Sequence, residues 1–271
     1  MKIQYKKIIF FFFSALILSG CEKNVISPLE EKVEGMARLS VVNAVPGSPG
    51  IDVTVNDSKI NGAAIPFSSR FPILEYSLFK PGNYSIKTNV NTPLIIPVLP
   101  PNIPFGTVLS TTTRNLESNK YYSLFLLGTP VVTNINTLLI EDNFPVPIKG
   151  KAFVRFINTM PDGNAMDLLV GIIPPGSANP TVSNALFSNI LRGEFKNFEA
   201  MDTTPEGSTY QFQLRINGTT TNVGITLNQT LTEGRYYTVI ARGFNNAFII
   251  PGFTPVRTIL AEGRISLFVN R

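Results

Sequence analysis

Apolar and polar residues alternate along much of the chain with the period of an extended strand. Ile51-Asp52-Val53-Thr54-Val55 sets its three branched apolar residues on one side. Tyr210-Gln211-Phe212-Gln213-Leu214-Arg215-Ile216 does the same over a longer run, with four large apolar side chains on one face. Successive side chains of a strand point to opposite faces, so each run predicts a half-buried strand. Tyr122-Ser123-Leu124-Phe125-Leu126 and Tyr237-Thr238-Val239-Ile240-Ala241 are mostly apolar on both sides and predict more deeply buried strands. Turn dipeptides separate the runs, among them Asn61-Gly62, Pro81-Gly82, Asp162-Gly163, Asn217-Gly218 and Glu262-Gly263. After the first twenty residues no long stretch carries a helical period. The expected fold class is all-β.

The pattern occurs twice. Ala37-Arg38-Leu39-Ser40-Val41-Val42-Asn43-Ala44-Val45-Pro46 aligns with Ala152-Phe153-Val154-Arg155-Phe156-Ile157-Asn158-Thr159-Met160-Pro161 at an offset of 115 residues (152 − 37). The offset holds for Asp52 and Asp167, and returns far downstream: Leu116 with Leu231, Tyr121-Tyr122 with Tyr236-Tyr237, Gly128 with Gly243. Between these blocks the register drifts, with Phe67-Ser68 set against Phe187-Ser188. The second copy has extra residues near Ile172 to Asn184, the first in the proline-rich stretch Asn89 to Phe105. The expectation is two tandem β-sandwiches, residues 36–145 and 150–271, with Phe144-Pro145-Val146-Pro147 marking the boundary. Each copy is large enough to bury a core and is expected to fold alone.

The start of the chain reads as an export signal. Lys2, Lys6 and Lys7 precede an apolar run, Ile8 to Leu18, that is shorter than the roughly 20 residues a membrane-spanning helix needs. The run ends in Leu18-Ser19-Gly20-Cys21, which resembles the bacterial lipobox. Residues 1–20 are thus expected to be a signal peptide and Cys21 a lipidated N-terminus, with residues 21–35 a polar tether. Cys21 is the only cysteine, so no intramolecular disulfide can form. The acyl chains each bury many methylenes at about 0.8 kcal/mol apiece, enough for stable anchoring. The expected location is the outer membrane, lipid-anchored, periplasmic or surface-exposed.

Composition narrows the chemistry. Removing the three signal lysines lowers the formal charge from +5 to +2 (5 − 3), and the remaining Lys and Arg are scattered, which argues against nucleic acid. There is no histidine. That removes His-dependent catalytic triads and, with Cys21 committed to lipid, the usual zinc ligands. No phosphate-binding glycine loop is present. Asp52 and Asp167 occupy equal positions and read as outward strand residues or as ties to turn backbone, with a calcium or catalytic carboxylate the less favoured reading. Glu141-Asp142-Asn143 and Pro161-Asp162-Gly163-Asn164 cluster oxygen donors without calcium-loop spacing. In each Tyr-Tyr pair, one ring is expected in the core and the other to tie a loop through its hydroxyl. Asp202-Thr203-Thr204 resembles a short O-glycosylation acceptor. No catalytic residue, metal or cofactor is expected.

With these residues in place, the chain resembles domain-of-unknown-function family 4397. A strand ending in Asn-Ala-x-Pro (Asn43 to Pro46) is followed by Asp52-Val53-Thr54-Val55-Asn56, and later by Pro81-Gly82-Asn83-Tyr84 and Lys120-Tyr121-Tyr122-Ser123-Leu124. The second copy keeps Val154-Arg155-Phe156-Ile157-Asn158 and Met166-Asp167-Leu168, and departs at Thr159 and Gly171. The resemblance implies immunoglobulin-like sandwiches, a surface location and kinship with exported lipoproteins of the Bacteroidota. It implies no activity.

The expected function is a non-catalytic, lipid-anchored envelope module that contacts a protein partner. The alternative is a glycan-binding accessory of an outer-membrane uptake system. Partner contact is expected where the copies differ, at Leu94, Ile95, Ile96, Val98, Leu99, Ile103 and Phe105, apolar residues set among prolines in a loop. The competing expectation is that this segment packs on the second domain or forms an edge strand.

Overall fold

The computed structural model describes residues 34–91, 105–130, 134–177, 180, 183–203, 209–250 and 257–271. The signal segment, Cys21, the rest of the tether to residue 33 and Leu94 to Ile103 lie outside the described residues. No α-helix forms among those described. The first half contributes β1 (Ala37–Asn43), β2 (Ile51–Val55), β3 (Ser58–Lys59), β4 (Ser69–Phe71), β5 (Ser77–Phe79), β6 (Gly82–Val90), β7 (Val108–Leu116), β8 (Tyr121–Gly128) and β9 (Ile135–Glu141). The second contributes β10 (Lys151–Asn158), β11 (Met166–Ile173), β12 (Asn184–Ile190), β13 (Phe195–Asp202), β14 (Thr209–Ile216), β15 (Asn222–Gln229), β16 (Tyr236–Arg242), β17 (Phe248–Ile250), β18 (Arg257–Ile259) and β19 (Arg264–Val269).

These strands form two sandwiches. In the first, sheet β4-β1-β8-β9, with β5 also on β1, faces sheet β3-β2-β6-β7. In the second, sheet β13-β10-β16-β19 faces sheet β12-β11-β14-β15. Strand alternation builds each core. Leu39, Val41, Leu124 and Leu126 meet Val53 and Ile86 in the first sandwich. Val154, Phe156 and Val239 meet Leu168, Phe212 and Leu214 in the second. The strands β1 and β8 are parallel, with Arg38 opposite Tyr121. So are β10 and β16, with Phe153 opposite Tyr236, the same register moved by 115.

Residues on the other faces of these parallel strands are buried too, because β1-β8 and β10-β16 pack on each other between the two sandwiches. Val42, Phe125 and Ile140 of the first meet Ile157 and Ile240 of the second. The both-sided hydrophobicity of Tyr122–Leu126 and Tyr237–Ala241 records this placement. One end of the junction is aromatic: Phe144 touches Tyr121, Phe198 and Tyr236, with centroid separations of 5.1, 5.4 and 4.8 Å. The segment expected to be a boundary thus plugs the seam.

Two expectations need correction. Phe67-Ser68 does not correspond to Phe187-Ser188. Asn43 donates from Nδ2 to Ile65 O (3.1 Å) and Asn158 likewise to Ile190 O (2.9 Å), so Ile65 corresponds to Ile190 and Ser68 to Gly193. Ser68 and Gly193 both hold the left-handed backbone, at φ 65° and 76°. The first copy's insertion does not begin at Asn89. Asn89 and Val90 complete β6, and Val90 N donates to Thr107 O while Gly106 N donates to Val90 O, closing the hairpin at its base.

Candidate functional site

The strands run between two distinct ends. At the first, the chain enters β1: Gly35 N donates to Asn119 Oδ1 (2.7 Å), Ser118 donates from Oγ to Gly35 O (3.1 Å), and Asn119 N donates to Met36 O. The β7–β8 turn, the start of β16 and residues 142–150 lie at this end, because the registers align Arg38 with Tyr121 and Phe153 with Tyr236. At the opposite end lie the last residues of β1, β6, β10, β14 and β16. The β6–β7 connection of residues 91–107 emerges there, where β14 and β15 are joined by a tight turn over 217–221. The connection from β16 to β19, residues 243–263, emerges there too and carries the β17-β18 hairpin. Its counterpart between β8 and β9 spans only residues 129–134. Sequence comparison missed this second insertion. Gly128 and Gly243 align at 115, but β19 begins later than that offset places it.

Of the expected contact residues, only Phe105 is described. It is 66 % exposed beside the hairpin base. Leu94, Ile95, Ile96, Val98, Leu99, Ile103 and the lipidation residue Cys21 lie outside the described residues.

The paired carboxylates hold loops. Asp52 is buried rather than outward, accepting from Asn61 Nδ2 (2.9 Å) and Asn91 Nδ2 (2.6 Å) and pairing with Lys59 (2.8 Å). Asp167 is also buried, accepting from Asn189 N (3.0 Å), Asn217 Nδ2 (2.8 Å) and Arg215 NH2 (2.9 Å). Asn91 and Asn217 are equivalent: each follows the last residue of its strand, β6 or β14. Burial acts to raise both acids. The hydrogen bonds and nearby cations outweigh it and hold both below the ordinary aspartate range. Of the two readings, the tie to turns is the one observed, and it extends to side-chain amides. The motif asparagines act similarly. Asn43 accepts at Oδ1 from Val45 N and Ser48 Oγ, and Asn158 from Met160 N.

The tyrosine pairs match the expected division only in part. One ring does both jobs: Tyr122 and Tyr237 lie in the cores, and their hydroxyls accept from Glu117 N (3.2 Å) and Thr232 N (3.0 Å). Their neighbours Tyr121 and Tyr236 enter the aromatic seam, where Tyr236 OH donates to Pro145 O. Neither pair forms an exposed aromatic platform.

A polar cluster that pattern reading overlooked spans the junction. Arg155 of β10 and Asp142 after β9 have essentially no exposed side-chain surface, at 2 % and 0 %. Arg155 NH1 lies 2.5 Å from Asp142 Oδ1, an ion contact without good hydrogen-bond alignment. Arg155 also donates from Nε to Thr238 Oγ1 (2.8 Å) and from NH2 to Ser123 Oγ (3.2 Å). Ser123 and Tyr76 both donate to Asp142 Oδ2 at 2.7 Å, and Asn270 Nδ2 donates to Tyr76 OH. The Arg155 guanidinium also sits over the Phe198 ring at 4.9 Å. Burial and the Asp142 carboxylate push the Tyr76 phenol far above its ordinary range, so it remains a donor. The cluster is closed within the protein and joins the sandwiches. Among the described residues no group of three or more His, Cys, Asp or Glu converges on a metal position.

Residues 37–169 match the family model described as Domain of unknown function (DUF4397), which runs past the first sandwich into β11. Among solved structures, the crystal structure of a candidate adhesin from Bacteroides ovatus aligns at 10 % identity over 86 % of this chain and 95 % of that one. Its TM-score is 0.20. No curated protein matches the chain. Over residues 37–169, the chain belongs to the DUF4397 family.

Proposed function

We propose that the protein is a non-catalytic interaction module of the bacterial cell envelope, anchored by lipid on Cys21 and contacting a protein partner through the strand ends farthest from that anchor. The observation behind this reading is where the sandwiches differ. Residues 91–107 and 243–263 have no equally long counterparts, and both join strands at the end opposite Gly35. Loops that the scaffold does not need are the usual carriers of recognition. The apolar sequence Leu94, Ile95, Ile96, Val98, Leu99 and Ile103 leads to Phe105, which is exposed, and such a composition suits a protein contact. The acids at Asp52, Asp142 and Asp167 are each engaged in holding the fold, which favours binding over acid–base chemistry. In this reading the sandwiches are tandem copies of one immunoglobulin-like unit, as the shared register at offset 115 supports, and the lipid sits in the outer membrane of one of the Bacteroidota.

A photo-crosslinking amino acid in place of Phe105 tests the reading in intact cells. A discrete crosslinked protein is expected, lost when residues 92–104 are replaced by a short Gly-Ser bridge while the melting temperature holds. No crosslink at Phe105, or a bridge that unfolds the chain, would overturn the assignment of this surface. Cys21→Ala should release the protein from membranes or leave it unprocessed, and a membrane-bound variant would refute the anchor.

A further inference from the structure

Asn245, Asn246, Ala261 and Gly263, from the two ends of the β16–β19 connection, frame a cleft of about 410 Å³ with the β14–β15 turn. That volume is within the roughly 300–1,000 Å³ of small-ligand sites. Its floor is a backbone contact that only glycine permits: a Cβ on Gly224 (φ 66°) would lie 1.8 Å from Gly263 O, and one on Gly263 would lie 2.5 Å from Val223 Cγ1. One wall is tied down, because Asn246 donates from its backbone N and from Nδ2 to Asp162 Oδ2. The polar lining is Thr221, Asn222, Asn245 and Asn246, beside apolar surface from Ile216 and Ala261. Among the described residues no charged side chain and no aromatic ring lines it. In the first sandwich the matching β8–β9 connection spans only 129–134.

We propose that the cleft binds a neutral saccharide. A carboxamide offers donors and an acceptor together, and so does each sugar hydroxyl, which makes a ring of asparagines a match for a polyol. The described lining offers a carboxylate, phosphate or amine no charged partner, whereas its amide and hydroxyl groups suit neutral hydroxyls. A peptide anchors best by burying an aromatic or Arg side chain in a deep pocket, and the small apolar strip from Ile216 and Ala261 provides none. The site is separate from the Phe105 surface, so either assignment can fail alone.

Calorimetric titration of the full chain in detergent with xylo-, manno-, malto- and β-1,3-gluco-tetraose is the test. At least one should bind saturably. The pair Asn222→Ala and Asn245→Ala should weaken it by roughly tenfold or more, and Thr221→Trp should abolish it by filling the cleft, with melting curves unchanged in both variants. Binding by none of the four, binding only of sialylated or sulfated sugars or of peptides, or binding indifferent to both variants would overturn the proposal.

Discussion

At the scale of single residues, the most consequential side chain is Arg155, whose charge is buried at the junction against the Asp142 carboxylate. Removing one partner of a buried ion pair strands the other, at a cost of about 3–5 kcal/mol, while replacing both with apolar groups of similar size is often near neutral. Asp142→Ala is therefore expected to lower stability by about that amount in denaturant titrations. The double variant Arg155→Met with Asp142→Leu should recover most of the loss. If it did not, the bonds from Arg155 to Ser123 and Thr238 would be carrying the stability instead. Asp52 and Asp167 make a second prediction, through pH. An aspartate held below its unfolded value binds fewer protons when folded, so its contribution is complete above the unfolded pKa and drains as pH falls through the folded one. Stability should hold at neutral pH and fall below about pH 4. Thermal melts of the Asp52→Asn, Asp167→Asn pair should show a shallower acid limb.

At the scale of elements, glycines separate positions that close the fold from positions that only turn the chain. Gly128 and Gly243 align in sequence, and both sit where a Cβ would strike backbone: 1.9 Å from Asn134 O and 2.3 Å from Glu262 O. Gly218 has comparable left-handed backbone, φ 74°, with nothing near the missing Cβ. Gly218→Ala should cost about 1 kcal/mol from backbone strain, whereas Gly243→Ala should prevent close approach of the strand leading into β19 and lower the melting temperature far more. Comparable melts for the two would refute the distinction. Much of this level was legible in the chain. Alternation marked β2 and β14, both-sided hydrophobicity marked β8 and β16, and the repeated Asn, Asp and Tyr-Tyr positions marked equivalent loops. What stayed hidden has a common cause. Asp142 and Arg155 meet only because two sheets pack face to face, and periodicity along one strand carries no record of the opposing sheet. The β17-β18 hairpin and the true start of the 91–107 connection were obscured because an offset read from matching blocks says nothing of how insertions are folded between them.

At the scale of the whole molecule, residues 34–271 form one compact unit. The face shared by the sandwiches bears on whether halves can live apart. A segment from Gly150 to Arg271 would uncover Phe153, Ile157 and Ile240 and leave Arg155 without Asp142. The joined chain is expected to melt in one transition, and the isolated segment to melt well below it or to self-associate, read by calorimetry and light scattering. Two separate transitions in the joined chain would show that the junction couples the sandwiches weakly.

Entry of the chain through β1 also decides how the protein would bear load. With lipid holding one end and a partner holding the distal loops, tension would run along β1. That strand is clasped between β8 on one side and β4 and β5 on the other, so the ladders resist sliding and share the force across many hydrogen bonds. A strand peeled from a sheet edge would lose its bonds one at a time. Pairing along both edges of β1 thus makes the attachment a shear joint, suited to a molecule held at both ends.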